Sequence, residues 1–105
     1  MSNVASDGVV LNISDITPGT YSNVDGLTLL IAIKNAFDNQ AEYVTLSLQG
    51  VIGFSSSFLN SSLGTLYEEM GIAGFKRIRL VNYKPAQLVQ LKKYMTDVVQ
   101  LHKAE

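Results

Sequence analysis

Residues 44–63 read VTLSLQGVIGFSSSFLNSSL, and this stretch decides the fold. It begins with alternating apolar and polar residues, as a half-buried strand does, and Gly50 ends that strand. The serine cluster Ser55 to Ser57 then opens a helix, because a hydroxyl at a helix start can accept a bond from an unpaired backbone N–H. Apolar residues at spacings of three and four continue from Leu59 to Met70. The stretch therefore predicts a strand, a short loop and a helix.

The same alternation extends in both directions along the chain. Strands are predicted at residues 9–13, 42–48 and 75–81, and helices at residues 27–39, 55–71 and 85–102. Turn and capping residues support these bounds: Asn23 or Asp25 before the first helix, Gly71 after the second, and Pro85 at the start of the third.

Strands that alternate with helices imply crossover connections. We therefore expect a single α/β domain, residues 1–105, in β-α-β-α-β-α order, with a small mainly parallel or mixed sheet and helices packed on it. Residues 1–8 are expected to be flexible, and the core to span roughly residues 9–103. The sequence leaves open the strand order and the direction in which residues 9–13 pair.

Composition excludes several classes of protein. The 105 residues include 8 basic and 9 acidic ones, a net charge of −1, and no cysteine. Disulfide scaffolds, thiolate nucleophiles and cysteine-ligated zinc are therefore excluded. No apolar run approaches the roughly 20 residues of a membrane span, and the first residues do not resemble a signal peptide. We expect a soluble, cytoplasmic protein. Only 16% of residues are charged, against roughly 25% on average, which indicates either an apolar surface that meets a partner or simply extensive burial.

The sequence offers little equipment for catalysis. His102 is the only histidine and lies near the end of the last helix, so a nucleophile–histidine arrangement would depend on that one position. Neither a GxxxxGK[ST] loop nor a GxGxxG fingerprint occurs. We predict a protein that is not an enzyme and holds no metal or cofactor.

Charge is unevenly distributed along the chain. Residues 1–75 hold one base and seven acids, a net charge of −6, whereas residues 76–105 hold seven bases and two acids, a net charge of +5. This basic third is either a solvated surface or a nucleic-acid contact, and nucleic acid is disfavoured because no aromatic residues are placed for base stacking. The basic residues are Lys76, Arg77, Arg79, Lys84, Lys92, Lys93 and Lys103.

Two segments of the central stretch carry a resemblance to a known family. Residues 46–51 (LSLQGV) and 54–60 (FSSSFLN) resemble the L-D-F-x-G-V and I-S-x-S-F-A-D patterns of STAS-like domains of unknown function (DUF4325). These domains are related to the STAS domains of anti-sigma-factor antagonists. The resemblance extends over roughly residues 27–98, and it implies a STAS-like α/β fold in a bacterial or phage protein.

The resemblance also implies a regulatory role. By position, Ser57 corresponds to the phosphorylated serine of the Asp-Ser-Ser motif, while the motif's acid is replaced by Ser55. Ser47 and Asn60 replace two further acids of the family pattern. The implied function is non-catalytic docking to a partner protein, for which a GHKL-type ATPase or kinase is a candidate. The alternative is a nucleic-acid-associated accessory protein that uses the basic third. The candidate partner-binding or phosphoacceptor residues are Ser55, Ser56, Ser57, Phe58, Asn60 and Ser61. Phe58 is either an exposed contact residue or a core anchor of the second helix.

Overall fold

The computed structural model describes residues 8–103. Three strands alternate with helices, as the sequence predicts, so the α/β architecture is confirmed. The strands are β1 (Gly8–Asn12), β2 (Tyr43–Ser47) and β3 (Ile78–Val81). The helices are α1 (Ile13–Ile16), α2 (Asn23–Asp38), α3 (Ser56–Leu59), α4 (Thr65–Lys76) and α5 (Pro85–Lys103), and a π-helical segment, Asn60–Gly64, joins α3 to α4. The expected flexibility of residues 1–7 concerns residues outside the described range, while Gly8 begins β1.

The sheet of the described residues is parallel throughout, with the order β1-β2-β3. Val44 in the central strand lies opposite Val9 on one side and Ile78 on the other. Both connections join neighbouring strands, and crossovers of this kind are right-handed, so α2 and the α3–α4 unit pack on the same face of the sheet. This topology decides the two points that the sequence leaves open.

The core lies between β2 and the helices on that face. Val44 and Leu46 are buried against Leu29 and Ile33 of α2 and Leu66 of α4. The α2 and α3 backbones approach closely at Gly26, where an added Cβ would lie 2.6 Å from the carbonyl oxygen of Phe58. A side chain at this position would force the two helices apart.

Helix α2 begins one turn earlier than predicted. Its cap is Ser22, whose hydroxyl accepts a hydrogen bond from the N–H of Asp25 at 3.1 Å, so the expectation of Asn23 or Asp25 as the cap is wrong. Asp25 instead lies in the first turn, where an acidic side chain suits the positive end of the helix dipole. The longer helix places Val24 and Gly26 on α2 as well.

The chain between α4 and β3 also differs from prediction. Gly71 adopts φ 68° and ψ −159°, so it interrupts the helix as predicted, but helical structure resumes and continues to Lys76. The predicted strand therefore shortens from residues 75–81 to Ile78–Val81. Phe75 is buried from the helix rather than from the strand, because the resumed turn directs it into the core.

Residues at the ends of β1 and in α5 complete the core. Ile13, predicted to end the first strand, is buried as the first residue of α1, where its carbonyl accepts from the N–H of Thr17 at 3.0 Å. Leu91 on α5 is buried, whereas Leu101 and His102 at the far end of that helix are exposed.

Candidate functional site

The serine cluster opens a helix, as the sequence predicts, and each serine has a distinct environment. Ser55 is the cap of α3: its hydroxyl accepts from the N–H of Phe58 at 3.0 Å and donates to the carbonyl of Tyr21 at 2.6 Å. It therefore holds α3 against the start of α2. Ser56 and Ser57 occupy the first turn of α3 and are exposed to solvent. They are the serines of this cluster that a kinase or partner could reach.

The remaining three candidate residues separate into surface and core. Phe58 is 1% exposed and packs in the core, so its side chain does not contact a partner in this structure. The structure thus agrees with the reading of Phe58 as a core anchor of this helix, since it lies among core residues that include Leu29 of α2 and Leu46 of β2. Asn60 is exposed, and Ser61 is half-buried and donates to Oδ1 of Asn23 at 2.8 Å. Ser61 therefore also ties this segment to α2.

The helix is wound more widely between Asn60 and Gly64 than in an ordinary α-helix. The hydroxyl of Thr65 donates to the carbonyl of Asn60, five residues earlier, at 3.2 Å. Ser62 is buried in this segment and donates to the carbonyl of Phe58 at 2.7 Å. Single π turns inside α-helices occur frequently at functional sites. The amphipathic spacing of the sequence carries no signal for this change of winding.

An exposed apolar surface, which the sequence analysis missed, lies beside the serine cluster. Val24, Leu27 and Ile31 share the solvent face of α2, at spacings of three and four residues. Tyr21 precedes that helix, and Ile52 lies across a small cleft from Tyr21. These five side chains, which we call the α2 patch, are between 47% and 83% exposed.

A signal for the α2 patch is present in the sequence. Apolar residues occur at nearly every position from Leu27 to Ile33, so α2 is apolar around most of its circumference. Such a helix has more apolar faces than a single core contact can bury. The predicted helix begins at Leu27, yet the structure buries Leu29, Leu30 and Ile33 and leaves Leu27 exposed.

The loop after β2 carries Ile52 to the carboxyl edge of the sheet. Gly50 has a φ of 83°, a conformation that favours glycine, and the amide of buried Gln87 donates to the carbonyl of Val51 at 2.7 Å. Asn82 adopts a φ of 56° and donates to the hydroxyl of Ser47 at 2.9 Å. These bonds hold the loop in one shape, with the side chain of Ile52 directed outward.

Two small clefts flank this loop. One, of about 210 Å³, is lined by residues 14, 17–21 and 50–52, and the other, of about 280 Å³, by residues 48–52 together with Asn82, Lys84 and Gln87. Their linings contain neither a carboxylate nor an imidazole, and Lys84 is their one charged side chain. Neither cleft assembles an acid and a base for catalysis.

Other chemistry-bearing residues of the described range are dispersed. His102 is exposed, its Nδ1 lies 2.9 Å from the carbonyl of Val98, and its ring packs on Tyr67. Between residues 8 and 103, no three acidic or histidine side chains come together as metal ligands would. None of the helices in this range combines the length and apolar character needed to cross a membrane.

Two of the basic residues are engaged within the molecule. Arg77 donates to the backbone carbonyls of Glu42 and Ala41, both at 2.8 Å, and lies over the ring of Phe37. Arg79 lies over the ring of Tyr43, 3.8 Å from its centroid. Such contacts between guanidinium groups and aromatic rings stabilise the sheet edge. The side chain of Arg77 is therefore fully engaged in contacts within the molecule, and that of Arg79 is oriented by its contact with Tyr43.

Comparison with known proteins identifies the central part of the chain. A family model described as a STAS-like domain of unknown function (DUF4325) matches residues 25–87, more than half of the chain. The matched range contains the serine cluster and three of the five residues of the α2 patch, Leu27, Ile31 and Ile52. No curated protein and no solved structure matches the chain.

Proposed function

Because the chain belongs to the STAS-like domains of unknown function, we propose that it is a non-catalytic regulatory module that binds another protein. The proposed partner is a GHKL-type ATPase or kinase of the bacterial cytoplasm. The proposed contact surface combines the α2 patch with the exposed residues Ser56, Ser57 and Asn60 of the following helix.

The exposed apolar side chains of α2 are the single observation that carries this proposal. Val24, Leu27 and Ile31 form one stripe on a helix whose opposite face is already buried in the core. Exposed apolar stripes rimmed by polar residues are typical of protein–protein contacts. The rim here is polar and uncharged on the α3 side, where Ser57 and Asn60 are exposed.

The position of Ser57 makes this surface suitable for regulation. A phosphate on Ser57 would add about −2 charges at the first turn of a helix, where the backbone N–H groups favour an anion. The phosphate would also belong to a contact surface that is otherwise apolar. It would therefore weaken the binding of a partner that presents carboxylates at this position. Ser55, which stands at the position of the acid in the antagonist motif, is the cap of α3 and carries no negative charge.

A capture experiment with matched variants tests the proposal. The wild-type chain, a V24S/L27S/I31S triple variant and a V89S/L101S variant are each immobilised and exposed to lysate of the source organism, with and without ATP. Val89 and Leu101 are comparably exposed but lie on α5. We expect wild type and the α5 variant to retain a GHKL-type ATPase, and the α2 variant to lose it.

A direct binding measurement then follows with the purified ATPase. Removal of three apolar side chains from a contact surface should weaken binding by more than tenfold, whereas S57E should alter affinity only if the serine cluster is part of the contact. Equal capture by all three proteins, or capture of no ATPase, would contradict the proposal. Circular dichroism confirms that the variants are folded.

A further inference from the structure

A groove runs between β3 and α5, and its lining includes no residue of the α2 patch. It consists of two adjoining clefts of about 500 and 320 Å³, which share Met95 and Thr96 of α5. Ile78 and Leu80 of β3 form its floor, and Leu88 of α5 forms part of its opposite wall. The groove therefore lies along the outer edge of the sheet.

The backbone of β3 has hydrogen-bonding groups that point into this groove. The carbonyls of Arg77 and Val81 accept from Val44 and Leu48 of the neighbouring chain segment, at 2.8 and 3.0 Å. Since alternate residues of a parallel strand direct their backbone groups to opposite edges, the N–H and C=O groups of Ile78 and Leu80 point away from β2. Among the described residues no strand lies beyond β3.

Charge in the groove is of one sign. Its lining includes Lys76, Arg79 and Lys92 and contains no aspartate or glutamate. The apolar part of the lining, Ile78, Leu80 and Met95, lies on the side that faces the helices, whereas Arg79 projects from the other face of β3 over Tyr43. An added strand would thus meet apolar side chains on one face and a cation on the other.

We infer that this groove binds an extended segment of a partner protein in which apolar residues alternate with acidic ones. The segment would add a fourth strand to β3, bonding to the backbone of Ile78 and Leu80, in the manner of β-strand addition. Its apolar side chains would pack against Leu88 and Met95. Its carboxylates would lie on the face from which Arg79 projects, since side chains alternate with the two-residue period of a strand. Lys92, exposed on the α5 wall, would add a longer-range attraction for the acidic segment.

The blocked peptide Ac-EVEVEVE-NH2 is the probe that tests this inference. Amide hydrogen exchange is measured by NMR on the full chain with and without the peptide. We expect the amides of Ile78 and Leu80 to exchange more slowly when the peptide is present. Those of Arg79 and Val81 should keep their rates, because they already face β2. The peptide Ac-KVKVKVK-NH2 has the same apolar content and should bind at least about tenfold more weakly.

Two neighbouring lysines of α5 provide a matched pair of variants. Lys92 lines the groove, whereas Lys93 pairs with Asp97 at 2.7 Å outside it. K92Q should weaken binding of the acidic peptide by about two- to fivefold, the range of an exposed ion pair, and K93Q should leave it unchanged. The triple variant of the α2 patch should bind the peptide as wild type does, so this inference and the proposed function can fail separately.

Four results would overturn the inference. The first three are the absence of saturable binding at millimolar peptide, equal affinity for the acidic and basic peptides, and slowed exchange in β1, the other sheet edge, in place of β3. Slowed exchange along the whole of β3, without alternation, would also contradict addition of a strand.

Discussion

Tyr94 shows at the scale of a single residue how α5 is connected to the proposed contact surface. Its hydroxyl donates to Oδ1 of Asn60 at 2.8 Å. Burial, with a smaller contribution from the carboxylate of Glu68, raises the pKa of Tyr94 above its ordinary value of about 10. The folded state therefore holds the tyrosine proton more tightly than the unfolded state does.

This pKa shift predicts a loss of stability at alkaline pH. Its contribution is fully present below the unfolded pKa, about 10, and is lost as the pH rises through the raised folded pKa, because there the unfolded state gives up its proton first. We expect the difference in unfolding free energy between wild type and Y94F to shrink or reverse above pH 10, as measured by urea denaturation. If the unfolding free energies of the two proteins ran parallel at all pH values, the prediction would be contradicted. Comparing wild type with Y94F cancels the effect of lysine titration on stability, because both proteins share it.

At the scale of an element, the interruption of α4 at Gly71 determines where Phe75 points. The combination of φ 68° and ψ −159° is one that only glycine adopts readily, although no other group lies within 4 Å of a Cβ placed there. The strain of a larger residue would thus come from the backbone itself and not from its neighbours.

We expect G71A to destabilise the protein by about 1–3 kcal/mol, despite the better helix propensity of alanine. Urea denaturation followed by circular dichroism measures this loss. Gly8 is the matched control, because it lies in the extended strand β1 and an added Cβ would make only ordinary contacts, the nearest at 3.5 Å. A G71A protein as stable as G8A would show that the α4 backbone relaxes without cost.

At the scale of the whole molecule, the contacts of α5 with the core predict that the domain unfolds as one unit. The family match ends at residue 87, so most of α5 lies beyond it. The structure nevertheless places Leu91 of this helix in the core, and Gln87 at its start bonds to the loop after β2. The last helix therefore supports both the core and the loop that carries Ile52.

We expect L91A to reduce the free energy of unfolding by about 2–5 kcal/mol, the usual cost of truncating a buried leucine. L101A, at an exposed position of the same helix, should change it by less than about 0.5 kcal/mol. Both are measured as single urea transitions by circular dichroism and tyrosine fluorescence. Loss of helical signal in L91A without a shift of the main transition would show that α5 unfolds independently.

The proposed contact surface could be predicted from the sequence only in part. The exposed serines at a helix start follow from capping chemistry, which involves neighbouring residues alone. The burial of Phe58 and the exposure of Leu27 depend on how α2 packs against α3, and the close approach at Gly26 sets that packing. Periodicity identifies an apolar residue but does not decide which of two apolar faces is covered.

The sequence by itself determined the α/β class, the alternation of elements and the helix start within the serine cluster, because these depend on side-chain period and local hydrogen bonding. Only the tertiary structure decided the strand order, the turn that resumes after Gly71 and the π-helical winding from Asn60 to Gly64. It also decided that Tyr21 and Ile52 line one cleft beside α2, and that β3, next to α5, is the last strand of the sheet among residues 8–103. The physical reason is that these features depend on contacts between residues far apart in the chain. Local sequence patterns do not reveal such contacts.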